Sequence, residues 1–232
     1  MTLDALVDTL PPSARDLKLN YSSLVRNNTE LTAQQLWGTV SATAIATRSA
    51  TLTAPALEAA AAQLSAPALE AAKTVAAVMG MNNIFYRFQH LSSNPKYDTM
   101  PARLRMNGLR GHGVEEVDFE LWALAVSAVN GCGKCVDAHE KAVREKGATE
   151  ELVMAVVRVA AVVHAIGVAL DQAAAEAAVS PAVTACRSFR RAHPRRAASF
   201  RASGRRPLRA FASARHGARG SCTLKRQETG NG

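Results

Sequence analysis

Three observations predict an all-α fold. The chain is rich in Ala and Leu, both strong helix formers, and only 5% of its residues are aromatic. Its apolar positions recur at intervals of three and four. No stretch alternates apolar and polar residues over the length of a strand. At 232 residues the chain is about one and a half times a typical domain, so one domain plus an extension is expected.

The elements follow in order. Residues 1–30 read as short helical turns broken by Pro11-Pro12. Leu31 to Arg48 reads as a helix through Leu36, Trp37, Val40 and Ile45. Thr51 to Thr53 reads as a break. The string Ala-Pro-Ala-Leu-Glu-Ala-Ala occurs at 54–60 and again at 66–72, each copy with Pro near a helix start. Two short copies in Ala-rich sequence are local composition and not a solenoid. The second copy continues as a helix to His90. Ser92 to Asp98 reads as a loop, a short segment lies around Leu104-Arg105-Met106, and Gly108 to Gly113 is a further loop. A helix is expected over Glu116 to Val129, stopped by Asn130-Gly131. The next is expected over Cys132 to Lys146, stopped by Gly147. Thr149, followed by Glu150 and Glu151, opens a last helix running to Val179, which Ser180-Pro181 ends.

Charge divides the chain in two. Residues 1–180 carry 15 Lys and Arg against 18 Asp and Glu, a net −3, whereas residues 181–232 carry 13 against 1, a net +12. The basic character therefore belongs to the tail, which weakens any reading of the body as a nucleic-acid-binding domain. The expected organisation is a helical domain over 1–180 and a disordered Arg/Ala-rich tail over 181–232. The tail holds too few large apolar residues to offset an ordering cost of about 1–2 kcal/mol per residue. Such a tail is an inert extension, a nonspecific binder of phosphate or nucleic acid, or an out-of-frame reading of GC-rich DNA.

Four cysteines are far below the density of a disulfide scaffold. The N-terminal segment has neither a basic region nor a long apolar one, so no secretion signal is expected. Leu152 to Leu170 is long and apolar enough to span a bilayer, but Arg158 and His164 within it favour a buried helix. A cytoplasmic protein with no membrane association is the expectation.

The chemistry concentrates in one segment, Phe119 to Glu140. Cys132 and Cys135 are three residues apart, and His139 follows four later, spacings that share one stripe of a helix. The pair follows Asn130-Gly131 and so falls in a first turn, where free N–H groups and the dipole favour a thiolate. His139 exchanges protons near neutral pH. Glu120, twelve residues before Cys132, can reach the stripe if a helix–Gly–helix connection folds the two helices together. A carboxylate, an imidazole and two thiols are the parts of dithiol redox chemistry.

Other readings compete. A closed zinc site needs four ligands, and the remaining cysteines and two histidines, Cys186, Cys222, His193 and His216, fall in the tail. A thioredoxin-type motif needs a βαβ context that the flanks lack. His164 reads as a core or interface histidine. His90 and His112 carry no partner signal. Met79, Met81 and Met106 read as packing residues, and Glu116 and Asp118 as acids at a helix start.

The chain resembles the alkyl hydroperoxide reductase AhpD family, within the wider carboxymuconolactone decarboxylase-like helical superfamily. The resemblance rests on Leu36-Trp-Gly-Thr, Met79-Gly-Met-Asn-Asn-Ile-Phe-Tyr-Arg87, Leu104-Arg-Met-Asn107 and, above all, Phe119-Glu-Leu-Trp through Asn-Gly-Cys-Gly-Lys-Cys-Val-Asp-Ala-His-Glu140. It covers about residues 1–178. It implies an AhpD-like helical bundle, a homotrimer, and peroxidase activity on alkyl hydroperoxides with no bound cofactor or metal. Carried over, Cys135 is the peroxidatic residue that becomes a sulfenic acid. Cys132 is the resolving residue that closes a Cys132–Cys135 disulfide, and His139 with Glu120 is the proton relay. The implied reductant is the lipoyl group of a partner acyltransferase, itself recycled by an NADH-dependent dehydrogenase, and the implied redox partner is the peroxiredoxin AhpC. Lys134 stands where well-known members carry a His. A lysine keeps a thiolate-favouring charge but shuttles protons poorly near neutral pH. The alternative is an acid/base enzyme of the carboxymuconolactone decarboxylase kind, acting on a carboxylated small molecule through Glu120 and His139.

Overall fold

The computed structural model describes residues 1–192 of the backbone, with side chains described to Val179; the expected tail lies mostly outside the described residues. All regular structure among the described residues is helical. The helices are α1 (Leu3–Asp8), α2 (Arg15–Tyr21), α3 (Ala33–Thr47), α4 (Ala50–Ala61), α5 (Ala66–Leu91), the single turn α6 (Lys96–Thr99), α7 (Glu116–Val129), α8 (Gly133–Glu145) and α9 (Glu150–Ala192). Short 3-10 turns lie at Pro12–Ala14 and Asn107–Leu109, and α2 runs on into a π-helical turn, Ser22–Arg26. Residues 1–189 form one compact unit.

Helices α3 and α7 are the centre, packed on each other, with α5 against both. Close approach of α3 and α7 rests on Gly38: a Cβ there would lie 2.0 Å from Cε2 of the fully buried Trp122. The N-terminus of α3 is closed by a capping box. Thr32 Oγ1 accepts from the Gln35 N–H, and Gln35 Oε1 accepts from the Thr32 N–H. The same Gln35 side chain donates to Asp118 Oδ1 on α7, and Gln34 donates to Oδ2. Asp118 is thus a first-turn acid, as its position predicts, and also a buried tie between the two central helices. Glu116 does stay exposed, and its hydrogen bond to Lys146 holds its carboxyl below the usual carboxylate range.

Helix α9 places Ala155, Val156, Val159, Val163, Ile166 and Leu170 in the core, and Arg158 reaches out to Glu30 at 3.1 Å. Its length and composition would suffice to cross a membrane, and half of its most apolar window is buried inside the fold. At the far end of α3, Gly167 lets α9 come close, since a Cβ there would lie 2.3 Å from Thr47 Cγ2.

Four expectations need correction. The break placed at Thr51–Thr53 is inside α4. Ser49 Oγ caps the Leu52 N–H, and Thr53 Oγ1 donates to the Ser49 carbonyl, which extends the helix one turn ahead of Pro55. Of the two repeated prolines only Pro67 lies in a first turn. The loop at Ser92–Asp98 contains α6. Ser180-Pro181 does not stop α9, whose backbone continues to Ala192.

Candidate active site

The site begins with the end of α7. Asn130 is its C-cap, and Gly131 follows with φ +67°, a left-handed conformation natural to glycine. The Gly131 N–H donates to the Ala128 carbonyl and the Cys132 N–H to the Ser127 carbonyl, the paired bonds of a Schellman ending. This reverses the chain and fixes Cys132. A buried polar network holds the turn from α5. Asn83 donates to Ser127 Oγ (3.0 Å) and accepts from Asn130 Nδ2 (2.9 Å), while Arg87 donates to the Asn130 carbonyl.

Cys132 is not the first helical residue. It is the N-cap of α8, with extended backbone (φ −98°, ψ 91°), and Cys135 is the third helical residue. The Cys132 carbonyl accepts from the N–H groups of Cys135 and Val136. The N–H groups of Gly133 and Lys134 are the ones a helix start leaves without intrahelical partners. The two cysteines are joined by a disulfide with Cα atoms 5.3 Å apart. The extended N-cap lets the bridge form while α8 stays helical from Gly133.

The expected folding-together of α7 and α8 is present. His139 on α8 places Nδ1 2.6 Å from Oε2 of Glu120 on α7. Both are partly buried, with side-chain exposures of 17% and 27%. All four residues singled out by spacing are therefore in one place: the bridged cysteines at the mouth of α8, and the imidazole–carboxylate pair one turn below.

A cleft of about 290 Å³ opens beside them. One wall is α5, through Met79, Asn82 and Tyr86. The opposite wall is α8, through Lys134, Cys135, Ala138 and His139, and Met106 and Leu109 complete it. Cys135 lines this cleft, whereas Cys132 is fully buried and does not. Met79, read as a packing residue, is buried in the core and also borders the cleft, as Met106 does. Asn82 and Tyr86 lie in a stretch that carries the family resemblance but, like Leu109, were not singled out as site residues, because only tertiary packing brings them to the cysteines.

Lys134, between the cysteines, points along the opposite rim. Its ammonium donates to Asp98 Oδ1 at 3.0 Å and to Gln89 Oε1 at 3.3 Å, and lies 5.9 Å from the centre of the Tyr86 ring. His112 stacks on Phe119, with ring centres 3.9 Å apart. His164 sits apart from the site, with Nδ1 3.4 Å from Thr47 Oγ1. The tail residues weighed as zinc ligands lie outside the described side chains.

The chain is similar to known proteins over most of its length. Residues 95–179 match the model of the carboxymuconolactone decarboxylase family. The chain is 72% identical over 171 residues to the alkyl hydroperoxide reductase AhpD of Acidobacterium capsulatum, covering 74% of this chain and 93% of that protein. It is 61% identical to the protein of that name from Koribacter versatilis, over 74% of this chain and 88% of the relative. It is 57% identical to that of Methylobacterium sp. (strain 4-46), over 76% of this chain and the whole of the relative.

Proposed function

Because the chain belongs to the alkyl hydroperoxide reductase AhpD family, we propose that it is a thiol peroxidase that reduces alkyl hydroperoxides at Cys135. The observation that carries this reading is a redox-capable cysteine pair of which one member, Cys135, lines a largely apolar cleft beside an imidazole–carboxylate pair.

In the reduced enzyme, His139 takes the Cys135 thiol proton. Glu120 holds Nδ1 and so leaves Nε2 as the exchanging nitrogen. The thiolate attacks the terminal peroxide oxygen, forming an S–O bond as the O–O bond breaks. The departing alkoxide takes its proton from His139, giving ROH and a Cys135 sulfenic acid. The Cys132 thiol then attacks that sulfur and expels water, closing the disulfide. The N–H groups at the start of α8 favour the thiolate throughout. Lys134, held by Asp98, adds positive charge nearby, and we give it no proton-carrying role.

The cycle restarts when a dithiol reduces the bridge. We assign that role to the lipoyl group of a partner acyltransferase, with AhpC as a peroxiredoxin partner, a cytoplasmic location and a homotrimeric assembly. We place the activity in residues 1–180, supported by relatives that align over 171 residues. The match to the carboxymuconolactone decarboxylase model supports an acid/base alternative through Glu120 and His139 alone. The two readings separate on thiol chemistry. Treating reduced protein with one equivalent of cumene hydroperoxide should consume two thiols in the wild type. It should leave a sulfenic acid, trappable by dimedone, in Cys132→Ser, and do nothing in Cys135→Ser. A Cys135→Ser protein still oxidised by peroxide would overturn the assignment, and an activity surviving full thiol alkylation would favour the acid/base alternative.

A further inference from the structure

Resting on the peroxidase reading above, we propose that Asn82 is a substrate-binding residue that grips the hydroperoxide group beside Cys135. Two neighbouring asparagines on α5 differ in what their side chains do. Asn83 is fully buried and engaged with Ser127 and Asn130, so its role is to hold the turn that precedes Cys132. Asn82 is also buried, only 5% exposed, and it lines the cleft. Its Oδ1 is buried with no hydrogen-bond partner.

A buried amide oxygen without a partner is destabilising relative to a satisfied one. Two other buried side-chain atoms among the described residues share that condition, Thr43 Oγ1 and Trp122 Nε1, and neither residue lines the cleft. Asn82 is thus the unpartnered carboxamide at the wall facing Cys135. The oxygen is closed off in this conformation, but no bond fixes it there, so rotation of the side chain can present either end of the amide to a ligand.

The rest of the cleft defines that ligand. Met79, Tyr86, Met106, Leu109 and Ala138 offer apolar surface. A volume of about 290 Å³ is near the lower limit for small-molecule pockets. An alkyl or aryl hydroperoxide matches both features: a compact apolar body and one polar end. That end has an O–H donor and two acceptor oxygens, complementary to a carboxamide. Oδ1 accepts from the terminal O–H, and Nδ2 donates to the inner oxygen. As the Cys135–oxygen bond forms and the O–O bond breaks, the inner oxygen becomes alkoxide. The Nδ2 bond then strengthens until His139 delivers the proton.

The test uses the reduced full-length chain and cumene hydroperoxide as the probe. Asn82→Leu removes both hydrogen-bonding groups at nearly constant size, and Asn82→Ala repeats the removal with a smaller side chain. Single-turnover thiol loss should slow roughly tenfold or more in both, the equivalent of one hydrogen bond of about 1.4 kcal/mol. Alkylation of Cys135 by iodoacetamide should keep the wild-type pH profile, because Asn82 acts on the peroxide and not on the thiol. Asn82→Leu should also keep or raise the wild-type Tm, since no bond is lost and an unpartnered buried oxygen is removed. An unchanged peroxide rate in either folded variant overturns the proposal, as does a parallel fall in alkylation. A Leu variant that does not fold contradicts an unpartnered amide. Wild-type protein inert to the peroxide would instead bring down the peroxidase reading first, and the role of Asn82 with it.

Discussion

His139 and Glu120 illustrate how a local pattern becomes a site. The cysteines and His139 share one short segment, so their spacing alone brought them together on paper. Glu120 needed one further inference, that Asn130-Gly131 reverses the chain, and the Schellman turn at Gly131 supplies it. Lys134 was legible only as a departure from the family pattern. Its partners Asp98 and Gln89 lie 36 and 45 residues away and left no trace in the local sequence. Asp118 is the first-turn acid that its position predicts, but its partners on α3 were out of reach of the local sequence for the same reason. Replacing His139 with Phe should slow peroxide reduction and shift its pH dependence; an unchanged profile would remove the relay role. Replacing Asn83 with Leu strands Ser127 and Asn130 inside the protein and should cost about 1–3 kcal/mol of stability, read as a lowered Tm. A neutral result there would mean that the turn stands without its brace from α5.

Helices were more legible than their ends. Glu116–Val129 is observed as the periodicity gives it, because Asn130-Gly131 is a strong stop. The start of α4 was not, because the Ser49 cap and the Thr53 hydroxyl outweigh the interior Pro55. The one-residue shift at α8 matters most: Cys132 is an extended N-cap, and that is what allows a bridge across three residues without unwinding the helix. The α3–α7 contact gives a direct packing test. Gly38→Ala drives a Cβ into the buried indole of Trp122 and should destabilise by about 1–3 kcal/mol, measured by denaturant unfolding. Full stability would mean that the two helices can separate more easily than their contact suggests. At the N-terminal helices, burial and then the hydrogen bond to Asp4 push the Tyr21 hydroxyl well above its ordinary pKa near 10. The unfolded chain therefore loses this proton first as pH rises. Tyr21 contributes full stability below about pH 10 and loses it progressively above that value. Tyr21→Phe should flatten this alkaline decline, and an equally steep decline would assign it to other groups.

At the scale of the molecule, charge divides the sequence in two. The near-neutral body carries the helices and the site, and the net charge of +12 falls beyond residue 180. Composition made that division visible, but helix α9 shows why a proline is an unsafe boundary: its backbone passes Pro181 and runs to Ala192. Among the described residues the last core side chain of α9 is Leu170. A chain truncated after residue 180 should therefore keep the Tm and peroxide turnover of the full protein; a large loss of either would place part of the functional domain in the basic segment. The apolar length of α9, suggestive of a membrane span in isolation, is half covered by the helices around it.

Steady-state consumption of cumene hydroperoxide with dihydrolipoamide as the sole electron donor tests the central claim most directly. The wild type should turn over many equivalents of peroxide, and Cys135→Ser none above the uncatalysed rate. Equal turnover by the two proteins would contradict a Cys135-centred peroxidase.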